Sequence, residues 1–108
     1  MANYLLIESR DPFEWNDVAR TYALASGLAK EGNQVTLFLV QNAVLPARRS
    51  TRSAELTSLA RAGVRVLADD FSLRERGVDQ GSLAEGVSPS PIDTVVDGLA
   101  AGHKAIWF

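Results

Sequence analysis

Acidic side chains directly follow two apolar runs of this chain. Asp69 and Asp70 come after the run Val64–Leu67, and Glu8 and Asp11 come after the first apolar run. If these runs are parallel strands, their carboxyl ends lie at the edge of the sheet where open α/β folds bind ligands. Carboxylates gathered there can serve as a general base or hold a cation. The alternative is structural, because Asp11 and Asp70 also stand where helix N-caps are expected.

Polar and basic residues follow the next apolar run, Gln34–Val40. Gln41 and Asn42 come first, so we expect them at the same edge of the sheet, in a ligand pocket with the four carboxylates. Three arginines stand further along, before a predicted helix: Arg48, Arg49 and Arg52. Guanidinium groups beside helix N–H groups favour anions, including carboxylates of a partner protein. The alternative is a solvated loop with no ligand.

Several common kinds of catalytic site are missing from the sequence. The chain has no cysteine, and therefore no disulfide, thiolate metal site or cysteine nucleophile. Its one histidine, His103, cannot form a zinc site without further ligands of that type. Neither a glycine-rich phosphate loop nor a serine nucleophile elbow occurs. We expect no cofactor, no metal ion and no catalytic residue of a familiar type.

Four apolar runs, separated by helix-sized segments, predict an α/β fold. Their residues do not alternate strictly with polar ones, which is typical of strands covered on both faces in a parallel sheet. The runs are Tyr4–Ile7, Gln34–Val40, Val64–Leu67 and Ala105–Phe108. A short extra strand around Gly86 and Val87 would make about five strands. Crossovers of this length favour right-handed connections, so we predict a three-layer α/β/α sandwich with a mostly parallel sheet.

Capping signals set the predicted bounds of the helices. Asp11-Pro12-Phe13-Glu14 has the pattern of a capping box that begins the first helix, and Gly32 ends that helix. Its apolar residues at helical spacing include Trp15 and Val18, which we therefore place on the buried face. The other predicted helices are Ala54–Ala62 with Leu56 and Leu59 inward, Phe71–Arg76 capped by Asp70, and a helix opened by Ser90-Pro91 that runs through Val95, Val96 and Leu99 to Gly102.

Composition narrows the class of protein. The 108 residues are 46% hydrophobic and carry a net charge of -2, which fits one globular domain over residues 1–108 and excludes a disordered chain. Mild acidity disfavours binding of nucleic acid through a broad basic face. The chain has no membrane-length apolar run and no basic start of a signal peptide, so we expect a cytoplasmic protein that does not contact the membrane. Apolar residues in predicted loops predict a homo-oligomer with the segment after the second strand near a subunit contact: Phe13, Trp15, Val44 and Leu45.

The third strand and the residues after it resemble the central motif of the DsrE/DsrF-like (YchN-like) family. Residues Gly63–Val78 read GVRVLADDFSLRERGV, and in the family a Gly-Val strand leads to a cysteine, a short helix and an Arg-Gly ending. Residues Glu31–Val44, EGNQVTLFLVQNAV, and the terminal segment Gly98–Phe108 are similar to further family segments. The resemblance therefore covers nearly the whole chain. It implies a five-stranded parallel sheet between helices and assembly as a dimer, trimer or hexamer.

The resemblance also implies a function in sulfur transfer, and this chain differs from the family at the residue that carries the sulfur. Several family members carry sulfur as a persulfide on the cysteine of the central motif. Counted back from Arg76-Gly77, that cysteine is replaced here by Asp69, and a carboxylate cannot carry sulfane sulfur. The leading hypothesis is a homo-oligomeric, non-catalytic accessory or ligand-binding protein of a sulfur-relay system, with sulfur-transfer proteins as partners. The alternatives are an enzyme that uses Asp69, Asp70 and Glu8, and a purely structural assembly subunit. An open cavity at the strand ends would favour binding or catalysis over the structural role.

Overall fold

Five strands form one parallel sheet in the computed structural model, which describes residues Met1–Phe108. The strands are β1 (Asn3–Glu8), β2 (Gln34–Leu39), β3 (Arg65–Asp69), β4 (Val87–Ser90) and β5 (Lys104–Trp107). Their order across the sheet is β4-β3-β2-β1-β5, and every neighbouring pair is parallel. The predicted α/β fold with five strands is confirmed, including the short strand after Gly86.

Four α-helices connect the strands. They are α1 (Asp17–Lys30), α2 (Ala54–Arg61), α3 (Asp70–Glu75) and α4 (Asp93–Ala100). Three 3-10 helices complete the connections: Gln41–Ala47, Thr51–Ser53 and Gln80–Ser82. None of the helices is long and apolar enough to cross a membrane.

Apolar packing on both faces of the sheet explains the continuous apolar runs of β1, β2 and β3. On one face, α1 and α2 cover strand residues such as Leu6 and Leu37 in a cluster of 20 buried residues. On the other face, only Val95 of α4 joins a cluster of six, with Leu5 and Phe38 among its strand residues. The second face is therefore covered by one short helix, which leaves the carboxyl end of β3 accessible at its margin.

The first helix begins later than the capping pattern predicts. Asp11 does accept hydrogen bonds from the backbone N–H groups of Phe13 and Glu14, both at 2.9 Å, but these bonds close a separate turn. The helix begins only at Asp17, and in the segment before it Arg10 lies over the ring of Trp15, 4.4 Å from the ring centre. Trp15 is consequently 45% exposed, so its predicted place on the buried face is wrong.

Two other helix predictions need correction. Asp69, and not Asp70, caps α3, because the Asp69 carboxylate accepts from the N–H of Ser72. In α4 only Val95 of the predicted apolar residues is buried, whereas Val96 and Leu99 are exposed. Helix α4 forms the thin layer of the sandwich, which is the helical layer over the smaller cluster. One buried apolar residue is enough for it to pack against the sheet there.

The segment after β2 is only partly the surface that we expected. Val44 is completely buried, because the 3-10 helix Gln41–Ala47 turns it into the large cluster beneath α1 and α2. Leu45 and Phe13 are exposed as predicted. A short apolar loop in sequence can thus be part of the core, since a 3-10 turn directs successive side chains to different sides.

Candidate functional site

An open cavity lies at the carboxyl ends of β2 and β3. Its volume is about 690 Å³. The residues that line it come from four segments of the chain: Val40, Gln41, Asn42, Asp69, Phe71, Ser72, Glu75, Arg76, Ile92 and Trp107. This is the position where open parallel sheets bind ligands, because neighbouring connections diverge from the strand ends there.

A chain of hydrogen bonds joins two connections at the floor of the cavity. The Gln41 N–H donates to Ser72 Oγ at 2.8 Å, and Ser72 Oγ–H donates to Asp69 Oδ2 at 2.7 Å. The Ser72 N–H also donates to Oδ2, at 3.0 Å, which is the capping bond of α3. One serine therefore orients the Asp69 carboxylate and anchors the start of the next connection.

Asp69 carries an unused acceptor in this buried setting. Its side chain is among the buried polar groups, at 6% exposure, and Oδ1 has no hydrogen-bond partner. A buried carboxylate oxygen without a donor is unfavourable, because it loses hydration and gains nothing in exchange. Such an atom beside a cavity is suited to accept a hydrogen bond from a donor of a ligand or a bound water.

Polar groups on the other side of the cavity are also held in place. Arg76 donates from Nε to Asn42 Oδ1 at 2.9 Å and from Nη1 to the carbonyl oxygen of Ser72 at 3.3 Å. Gln41 has a backbone φ of 53°, a left-handed conformation that is uncommon for a residue other than glycine. The strain is held at a residue that both lines the cavity and donates to Ser72, as is frequent at functional sites.

Exposed apolar side chains form the outer wall of the cavity. Phe71, Ile92 and Trp107 line it, and each is about half exposed or more. A ligand with an apolar part would be covered by these groups and would offer its polar part to Asp69 and Asn42. The cavity thus combines apolar walls with a few fixed polar groups, as small-molecule sites do.

The structure brings together half of the predicted ligand pocket. Gln41, Asn42 and Asp69 line the cavity. Glu8, Asp11 and Asp70 are not part of its lining, and each makes a local contact elsewhere. Glu8 Oε2 accepts from the N–H groups of Ser9 and Arg10, Asp11 closes its turn, and Asp70 lies 4.0 Å from Arg74.

The apolar wall and the basic group of the cavity have no clear signal in the sequence. Phe71, Ile92 and Trp107 belong to three separate segments, and no local pattern shows that they meet. Ser72 had a signal, since a hydroxyl three residues after Asp69 fits a helix-capping interaction. No feature of the sequence indicated that Arg76 lines the cavity.

The three predicted anion-binding arginines lie outside this cavity and do not share one site. Arg48 and Arg52 line a neighbouring groove of about 330 Å³, to which Arg76 also contributes. Arg49 lies in another depression, and its Nη2 is 3.5 Å from the carbonyl oxygen of Leu83. No group of three or more His, Cys, Asp or Glu side chains has a geometry that could hold a metal ion.

Comparisons with known proteins agree with this architecture. Three solved structures share the fold: YchN from E. coli (TM-score 0.89, 19% identity, all of both chains covered), MTH1491 from Methanobacterium thermoautotrophicum (0.79, 24%, all of both chains) and BT1422 from Bacteroides thetaiotaomicron (0.82, 16%, 98% of this chain and 94% of that one). The latter two are described as proteins of unknown function. No curated protein sequence matches this chain. The model of the DsrE/DsrF-like family matches residues 2–108, and the chain therefore belongs to that family.

Proposed function

We propose that this protein is a ligand-binding member of the DsrE/DsrF-like family that serves a sulfur-relay system without carrying sulfur itself. The observation that carries the proposal is the open cavity at the end of β3 with Asp69 at its floor. Asp69 is the position at which, by the family resemblance, a cysteine would receive sulfur. The cavity is large enough for a small molecule, but the chain has no cysteine that could form a persulfide.

The open cavity also weighs against the two alternatives. A purely structural subunit has no need of an unfilled cavity of about 690 Å³ with a buried, unpartnered acceptor. An enzyme based on Asp69, Asp70 and Glu8 would need these carboxylates to converge. Only Asp69 lines the cavity, and the other two are used by Arg74 and by backbone N–H groups. Ligand binding is therefore the function that the geometry supports best.

Assembly and partners are part of the same proposal. We infer a homo-oligomer, because exposed apolar residues of α4, its N-cap and β5 leave one side of the thin layer uncovered: Ile92, Val96, Leu99 and Trp107. Ile92 and Trp107 also line the cavity, so a second copy on this side would enclose it further. Sulfur-transfer proteins remain the partner class that family membership suggests.

Sulfur loading of a cysteine variant tests the proposed site. In Asp69→Cys, the thiolate can attack the sulfane sulfur of a low-molecular-weight persulfide, which releases the donor thiolate and leaves a cysteine persulfide. We expect mass spectrometry to show a gain of about 32 Da, one sulfur atom, on this variant. Wild-type protein should gain nothing.

Two matched variants control for general thiol reactivity. Ser72→Cys places a thiol in the same cavity, and Ser58→Cys places one on the exposed side of α2. Preferential loading of Asp69→Cys supports the assignment. Equal loading of all three variants, or loading of Ser72→Cys alone, contradicts the position assigned to the sulfur-accepting residue.

A further inference from the structure

The groove beside the cavity is lined by three arginines from three segments of the chain. Arg48 follows the 3-10 helix after β2, Arg52 lies just before α2, and Arg76 follows α3. The remaining lining residues are Phe13, Leu45, Ser50 and Val78. No acidic residue lines this groove, so it is a basic site within a chain whose net charge is -2.

None of these three arginines has a carboxylate partner in the chain. The ion pairs within 4.0 Å involve Arg10, Arg61 and Arg74 instead. Arginines that line one groove without a carboxylate partner give it a positive potential, which attracts anions. The groove therefore favours the binding of an anion.

Two of the guanidinium groups are held in place by contacts that leave donors unused. Arg76 is fixed by Asn42 Oδ1 and the Ser72 carbonyl oxygen through Nε and Nη1, and its Nη2 has no acceptor in the chain. Arg52 lies over the ring of Phe13, 5.2 Å from the ring centre, and makes no side-chain hydrogen bond within the chain. Groups held in this way lose less conformational entropy when they bind a ligand.

We propose that Arg48, Arg52 and Arg76 form a binding site for the phosphate group of a small phosphorylated molecule. A phosphate monoester presents three terminal oxygens, which matches three guanidinium groups better than the two oxygens of a carboxylate do. Phe13 and Leu45, which are both exposed, offer an apolar surface for the organic part of the molecule. This site is separate from the Asp69 cavity and does not depend on its proposed function, although Arg76 lines both.

Calorimetric titration of the full chain at constant ionic strength tests the proposal, because ionic strength screens nonspecific attraction. Phenyl phosphate, inorganic phosphate and benzoate are the probes. We expect saturable binding at one site, with phenyl phosphate tightest, inorganic phosphate weaker, and benzoate weakest. Absence of saturable binding by both phosphate probes overturns the phosphate assignment. Tighter binding of benzoate than of phenyl phosphate overturns it as well. Tighter binding of inorganic phosphate than of phenyl phosphate overturns the role of the apolar surface.

Variants distinguish the site from general surface charge. Loss of one charge-assisted contact in Arg52→Gln should weaken phenyl phosphate binding roughly tenfold. Arg52→Lys should restore only part of it, since the ammonium group lacks the guanidinium fork. Arg49→Gln is the matched control, because Arg49 is also exposed but lines another depression. Equal weakening by Arg49→Gln and Arg52→Gln contradicts the proposal.

Discussion

Ser72 is the residue on which the floor of the cavity depends. Its hydroxyl group accepts from the Gln41 N–H and donates to Asp69, so it links the connection after β2 to the one after β3. The residue itself is buried. A hydroxyl with both roles filled cannot be replaced by a methyl group without leaving a buried N–H group without an acceptor.

Ser72→Ala should therefore lower the free energy of unfolding by about 1–3 kcal/mol, because the Gln41 N–H loses its acceptor and Asp69 loses one donor. Denaturant titration measures the change. Ser58→Ala is the control, since Ser58 is exposed on α2 and makes no side-chain hydrogen bond, and we expect a change within about 0.5 kcal/mol. Equal stability of the two variants would show that the buried network contributes nothing.

The backbone of Gln41 allows a second test at this scale. Glycine adopts the φ of 53° without steric cost, so Gln41→Gly should leave stability unchanged or raise it by up to about 1 kcal/mol. Gln41→Val should lower it by about 1–2 kcal/mol, since a β-branched residue at positive φ is strained. Denaturant titration of both variants gives the order of their stabilities. A valine variant more stable than the glycine variant would contradict the left-handed conformation of Gln41.

At the scale of elements, α2 contacts the turn before β4 so closely that a side chain does not fit there. A Cβ atom at Gly86 would lie 2.5 Å from the Cβ atom of Ala60, and Gly86 has a φ of 88°. Gly32, after α1, has a similar φ of 92° but no heavy atom within 4 Å of such a Cβ position. Substitutions at the two glycines therefore distinguish the cost of backbone strain from the cost of steric crowding between α2 and the turn before β4.

Gly32→Ala should cost about 1–2 kcal/mol of stability from strain alone. Gly86→Ala should cost about 1–3 kcal/mol more, because the added methyl group overpacks the contact with α2. Thermal and denaturant unfolding measure both changes. Adding Ala60→Gly to Gly86→Ala should recover part of the loss through the relieved contact, and equal costs of the two single variants would argue against the close approach.

The packing of α1 predicts how stability depends on alkaline pH. Burial raises the pKa of Tyr22, and the charges of Glu55 and Glu8 raise it further. Above pH ~10 the unfolded chain loses the phenolic proton while the folded chain retains it, so stability falls by up to about 1.4 kcal/mol per pH unit. Tyr22→Phe should remove this part of the alkaline loss and change little at pH 7. Unfolding curves between pH 8 and about 11 test this, and an unchanged alkaline slope in the variant would contradict it.

At the scale of the whole molecule, the uneven covering of the sheet is the main feature. The large cluster lies beneath α1 and α2, and the opposite face has a cluster of six under α4 alone. The apolar residues Val96 and Leu99 of α4 face away from that cluster and are exposed. A second copy of the chain on this side would bury them and enlarge the thin layer.

Wild-type protein should therefore have a mass in light scattering that is a multiple of the chain mass at micromolar concentration. Val96→Asp should shift the population toward the monomer, because a charge cannot be buried in an apolar contact without a partner. Leu24→Asp on α1 is the matched control, since Leu24 is also partly exposed but lies on the opposite layer. A monomeric wild-type protein, or equal dissociation by both variants, would contradict an interface on the α4 side.

The sequence by itself determined most of the strands and helices and the parallel arrangement of the sheet. The apolar runs predicted β1, β2, β3 and β5 to within one or two residues. For β1, β2 and β3 the reason is burial, because strands covered on both faces need continuous apolar side chains. The residues of the edge strand β5 are exposed. Glycines after α1 and α2 marked their ends, since a left-handed residue there favours glycine. The position of Asp69 at the end of β3 followed from the same reasoning.

Only the tertiary structure decided which of these residues meet. Glu8 and Asp70 had the same local signals as Asp69, yet backbone N–H groups and Arg74 already use them. Trp107 and Ile92 reach the cavity because β5 and α4 pack beside β1 and above the sheet, a relation with no trace in local spacing. Arg76 joins Arg48 and Arg52 for the same reason. Hydrophobic periodicity and capping act between residues close in sequence, whereas cavities depend on contacts between segments that are distant in sequence.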